Sequence, residues 1–102
     1  MAAYMIFTRE GTIFNQAEMD AYSQTVRSNK TRIAPKPLVF YGASETFEGE
    51  APDGVVMLEF PTVEDAKAWY FSPEYQAAAV HRKLGANYRV VLVQGVQAPS
   101  LL

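Results

Sequence analysis

An α+β fold is what this sequence predicts: four antiparallel strands with helices packed on one face. Three observations lead there. Apolar, β-branched runs recur at Ala3–Thr8, Val55–Phe60 and within "NYRVVLVQGV". Between them lie segments whose apolar residues fall three and four apart, each opened by a helix cap. The order that results, β-α-β-β-α-β, is the ferredoxin-like split βαβ arrangement.

The elements follow in order. Ala3–Thr8 is apolar throughout and reads as a strand covered on both faces. In "NQAEMDAYSQTVRSNK", Asn15 is an N-cap with Glu18 at N3, the spacing of a capping box, and Met19, Tyr22 and Val26 form the apolar stripe. Pro35 and Pro37 cannot continue that helix. "LVFYGASETF" predicts a second strand from Leu38 to about Phe47, bent at Gly42. "EGEAPDG" is turn chemistry and leads into the third strand, Val55–Phe60. Pro61 stops it, and Thr62 caps a short helix with Asp65 at N3. Ser72 is an N-cap followed by Pro73 at N1, so a further helix begins there. The last strand comes after Gly85. One domain over 1–96 with a loosely held tail at 97–102 accounts for the chain.

The chain has 102 residues, no cysteine, and nine basic against eleven acidic side chains, for a formal net charge of −2. No disulfide, thiolate nucleophile or cysteine-based metal site is available. Nothing resembles the clustered basic patch of a nucleic-acid or membrane-surface binder, so neither partner is expected. The N-terminal apolar run is too short for a secretory leader or a membrane span, and a cytoplasmic location follows as the default. With a single histidine, His81, no multi-histidine metal site can form. Phosphate loops and serine-nucleophile elbows are also missing.

Patterning bears on assembly. Val55 and Met57 alternate with Val56, Leu58 and Phe60, while Tyr88, Val90 and Leu92 alternate with Val91 and Val93. Both faces are apolar, yet helices on one side cover only one. A second copy of the same sheet is the simplest cover, which predicts a homodimer.

The stretch "WYFSPEYQAAAVHR", Trp69 to Arg82, concentrates the candidates. As structure, it is a helix junction: Ser72-Pro73 is punctuation, and Tyr75, Ala78, Ala79 and Arg82 share one stripe. Arg82 strains that account, since a desolvated guanidinium needs a partner. Arg89, sharing a strand face with Val91 and Val93, raises the same issue. Glu59 is the expected counter-ion, in an internal Glu-Arg network. The functional alternative is a pocket in which an arginine grips a carboxylate or enolate oxygen. His81 reads as a surface residue or as a general base at a pocket rim.

The segment Val55–Val96 resembles the family known as domain of unknown function 1330. It shares an apolar strand ending Glu59-Phe60-Pro61, a capped helix with Ala68-Trp69-Tyr70, then Ser72-Pro73-Glu74-Tyr75, Arg82 seven positions on, and Arg89 near the start of the last strand. The resemblance implies a ferredoxin-like protomer of the dimeric α/β-barrel superfamily, with a small-molecule cleft between sheet and helices. That superfamily includes cofactor-free monooxygenases, haem proteins, isomerases and lactone-forming enzymes. The resemblance marks Glu59, Trp69, Tyr70, Ser72, Tyr75, Arg82 and Arg89 as the positions to suspect. In an enzyme acting on a small organic acid, Arg82 or Arg89 would bind the carboxylate, aromatic side chains would hold the carbon skeleton, and Glu59, Tyr70 or His81 would move a proton. No cofactor is expected, since the helical phase of His81 turns it away from any haem. An enzyme on a small organic acid, a binding module and a structural dimer all remain open.

Overall fold

The structure, a computed structural model, describes residues 1–96. The tail assigned above to 97–102 lies outside the described residues. The elements run β1 (Ala3–Arg9), α1 (Gln16–Ser28), β2 (Lys36–Phe40), β3 (Gly54–Phe60), α2 (Val63–Tyr70), α3 (Pro73–Gly85) and β4 (Tyr88–Gln94). The four strands form one antiparallel sheet in the order β2-β3-β1-β4. This is the ferredoxin-like α+β fold, with β1 and β3 central and β2 and β4 at the edges.

The three predicted caps form. The Asn15, Thr62 and Ser72 side chains accept from the backbone N–H groups of Glu18, Asp65 and Tyr75. The capping box at Asn15 stays half made: Asn15 N donates to the carbonyl of Gly85, and the Glu18 carboxylate turns to His81. Gly85 is where the start of α1 docks on the end of α3. A Cβ there would lie 2.7 Å from Met19 Cγ, so only glycine lets the two helices meet this closely.

The second strand is shorter and earlier than its β-rich sequence predicts. β2 ends at Phe40 because Tyr41 takes a left-handed conformation, φ 55°, which breaks the extended run. Residues 41–51 are then all exposed. Pro37 fits inside β2 because an edge strand tolerates a missing donor, and the pairing slips between Pro37 and Val39.

Strand alternation sorts the two faces. Ala3, Met5, Phe7, Val56 and Phe60 are buried under the helices with Trp69, Tyr75 and Ala79. Tyr4, Ile6, Val55, Met57, Val91 and Val93 point to the opposite face, which none of the described helices covers. There Val91 and Val93 remain 43% and 44% exposed.

Candidate functional site

A cleft of about 680 Å³ opens on the helix side of the sheet, between α1 and the β2–β3 half. That volume falls within the range of ordinary small-molecule sites. Phe7, Val56 and Leu58 make its floor, Met19, Tyr22 and Val26 of α1 one wall, and Pro37 and Phe40 of β2 the other. Arg9, Tyr41, Arg82, Tyr88 and Trp69 also line it. Three of the chain's five arginines, Arg9, Arg27 and Arg82, border this cleft, with a single carboxylate, Asp20. In a chain of net charge −2, that is a local reversal of sign favouring an anion.

Arg82 is the centre of the site. On α3 the stripe Tyr75, Ala78, Ala79, Arg82 is buried, and the helix packs closely along α1. The side chain is 3% exposed, and its Nε is buried without a hydrogen-bond partner. No carboxylate among the described residues pairs with it. Its Cζ lies 5.7 Å from the centroid of Phe7 and 5.5 Å from that of Tyr88. Aromatic faces and the neighbouring Tyr75 hydroxyl offset part of the desolvation of the cation, but not the acceptor missing at Nε. Burial acts to lower the Arg82 pKa, but the Tyr75 and Tyr22 hydroxyls outweigh it and the net shift is upward. The group stays a cation.

Tyrosines surround it in two pairs. Tyr22 and Tyr75 share a hydroxyl–hydroxyl bond of 2.9 Å, and Tyr41 and Tyr88 one of 2.6 Å. Burial, above all, pushes the phenols of Tyr22, Tyr75 and Tyr41 upward, against the opposing pull of Arg82. They remain protonated at neutral pH and act as hydrogen-bond donors rather than bases. The arrangement can therefore bind an oxyanion and stabilise charge that develops on one.

The residues singled out from the sequence divide. Arg82, Tyr75 and Trp69 come together, with Trp69 and Tyr75 rings 4.1 Å apart. Tyr70 packs tilted against Tyr75, ring centroids 5.4 Å apart, and lines a smaller neighbouring pocket that also touches Arg82. Ser72 is helix punctuation, its Oγ donating to the Trp69 carbonyl at 2.7 Å. His81 is half-buried rather than on an open surface, with Nδ1 2.6 Å from Glu18 Oε2, tying α3 to α1. Glu59 is not the counter-ion of either arginine. It lies opposite Tyr4 and Lys36 on the uncovered face, across the sheet from Arg82. Arg89 is exposed on that same face and reaches Glu10 at 3.4 Å.

Arg9, Tyr22, Tyr41 and Tyr88 line the cleft without having been singled out. Arg9 carries a readable signal: its parity along β1 matches that of Met5 and Phe7, which places it on the helix side. Among the described residues no cluster of three or more His, Asp or Glu could hold a metal ion. No described helix is long and apolar enough to cross a membrane.

Known proteins agree on the fold. A protein of unknown function from Rhodopseudomonas palustris superposes with a TM-score of 0.71 at 16% identity, covering 95% of this chain and 84% of its own. A protein from Bacteroides fragilis, described as dimeric, of unknown function and ferredoxin-like, gives 0.58 at 14% identity, covering 92% and 96%. A variant of SnoaB, a cofactor-independent oxygenase from Streptomyces nogalater, gives 0.52 at 12%, covering 97% and 95%. No curated protein matches the chain. The family described as "Domain of unknown function (DUF1330)" matches residues 2–96, and the chain belongs to it.

Proposed function

We propose that the cleft binds a small organic acid with a flat, apolar body, and that Arg82 holds its carboxylate. One observation carries this: a guanidinium 3% exposed, facing an open cleft, with no carboxylate partner among the described residues. An unpaired buried charge is a standing cost, and a ligand's carboxylate offsets it. The reaction that suits the site is a cofactor-free oxygenation, with dioxygen as co-substrate and oxidant, or an isomerisation. Both begin by removing a proton beside a carbonyl, leaving an enolate for Arg82 and the protonated tyrosines to stabilise. Asp20 is the candidate base, as the one carboxylate on the cleft wall among the described residues. The fold shared with a cofactor-independent oxygenase supports the class of reaction and no particular substrate. We further propose that the working unit is a homodimer, two copies covering each other's apolar sheet face.

A second reading is binding without turnover. It is favoured by the cleft's donors having only one exposed carboxylate to set against them. Melting temperature in the presence of small carboxylates and their neutral amides tests the shared premise. A ligand at 100 times its Kd stabilises by about 2.7 kcal/mol. Shifts with acids and not with amides support the reading; equal shifts, or none, sink it. Turnover by wild type and its loss in Asp20→Asn then separate enzyme from binder.

A further inference from the structure

We infer that the acid-binding end of the cleft has two prongs. Its ligand is a small aromatic acid bearing a second acidic oxygen, which Arg9 and the Tyr41–Tyr88 hydroxyl pair receive while Arg82 holds the carboxylate. The inference rests on the acid-binding reading above and goes beyond it by naming the second group.

Arg9 ends β1 on the same face as Met5 and Phe7 and borders the cleft. The turn at Asp53 fixes it. Asp53 N donates to the Arg9 carbonyl at 2.8 Å, and Arg9 Nη2 donates to the Asp53 carbonyl at 2.9 Å. The Asp53 carboxylate, the nearby candidate to neutralise Arg9, instead accepts from Gly11 N at 2.6 Å. Arg9 is therefore anchored yet forms no ion pair among the described residues, and its Nε is buried without a partner. Two arginines bordering one cleft share the same unmet need.

Tyr41 joins them. Its φ of 55° is uncommon for a bulky residue, and the conformation lays its ring over Gly54, where a Cβ would lie 2.8 Å from Cδ1. From there its hydroxyl meets that of Tyr88 at 2.6 Å. Arg9 Cζ stands 5.8 Å from the Tyr41 ring and Arg82 Cζ 5.5 Å from the Tyr88 ring. Two hydroxyls carry two protons, and their mutual bond uses one. The other is free to donate. A monoacid on Arg82 leaves that proton and Arg9 unanswered; a second acidic oxygen answers both.

The experiment titrates wild type, Arg9→Gln and the double variant Tyr41→Phe/Tyr88→Phe with benzoate, parahydroxybenzoate and terephthalate by calorimetry. The double variant keeps both rings, that of Tyr41 over Gly54 included, and removes both hydroxyls, so it tests the pair should Arg9→Gln fold poorly. In wild type, terephthalate and parahydroxybenzoate bind about tenfold or more tighter than benzoate, as expected for one added charge-assisted hydrogen bond. In Arg9→Gln the terephthalate preference collapses toward one, and in the double variant, which has neither hydroxyl left to donate, the parahydroxybenzoate preference does. If benzoate binds and the other two bind no tighter, the two-pronged site is wrong while the acid-binding reading stands. Preferences that survive in both variants also overturn it. If none of the three acids binds wild type, both readings fall.

Discussion

Arg82 and Arg89 are seven residues apart and present the same puzzle in the sequence, a charge among apolar neighbours. The fold resolves them in opposite ways. Arg82 points inward from α3, 3% exposed and without a carboxylate partner among the described residues. Arg89 sits on the uncovered face with its side chain 68% exposed, in a loose pair with Glu10. A charge on an edge strand keeps its water and needs little else. A charge locked under a helix has given up its water, and the absent partner becomes information about a ligand.

The largest expected effect follows from that contrast. Arg82→Met keeps much of the side chain's volume and removes the unpaired charge. Acid affinity should fall roughly a hundredfold, about 2.7 kcal/mol. The unliganded protein should melt no earlier, because replacing a buried charged group with a well-packed apolar one is commonly neutral or stabilising. Calorimetric titration and a melting curve on the same preparation give both numbers. Retained affinity, or a large loss of stability, would make Arg82 a structural residue after all. Arg82→Ala is the poorer probe, since it adds a cavity to the lost charge.

How much of this the sequence carried depends on the residue. Caps and the Ser72-Pro73 step are local chemistry, so the helix starts were legible. Two-sided apolar strands announced an uncovered face but hid which face that was. Glu59 has the parity of Val55 and Met57, and Arg89 that of Val91 and Val93. With both faces apolar, parity alone cannot say which the helices take. Only packing places Phe60 and Val56 inward and so turns Glu59 away from Arg82. Tyr41 is harder still. Nothing in "VFYGAS" marks a tyrosine as the left-handed residue, when Gly42 beside it is the natural choice, so the sequence reads as a longer strand than the one that forms.

The two faces invite a second break. Val91→Asp places a charge in the middle of the uncovered face, beside Val93 and opposite Ile6. A sheet-to-sheet homodimer should dissociate to monomers by sedimentation at micromolar concentration. The mirror substitution beneath the helices, Val90→Asp, should instead reduce folding itself. If wild type already sediments as a monomer, the apolar face has some other occupant and the proposed dimer is wrong.

Alkaline pH separates the faces more gently. The phenols of Tyr22, Tyr41 and Tyr75 are raised in the folded state, chiefly by burial. An acid whose folded pKa is raised holds its proton longer folded than unfolded. Its contribution is complete below the ordinary tyrosine value of about 10, and is lost as pH climbs from there. Stability should therefore decline above pH ~10, and phenolate absorbance should show three of the six tyrosines titrating only as the protein unfolds. Six tyrosines ionising together near the ordinary value would mean the hydroxyl pairs are open to water.

The smallest effect belongs to Arg89. Removing it with Arg89→Ala, or its partner with Glu10→Ala, should change stability by less than about 0.5 kcal/mol, since an exposed pair at 3.4 Å is screened and entropically costly. Acid affinity should not move, because the group stands on the far side of the sheet from the cleft. A double-mutant cycle isolates the pair. A coupling well above 1 kcal/mol would mean that Arg89 loses its water in the assembled protein. That would place the end of β4 inside the contact between copies instead of at its rim. Arg89 would then share the predicament of Arg82, differing only in that a second sheet, not a helix, imposes it.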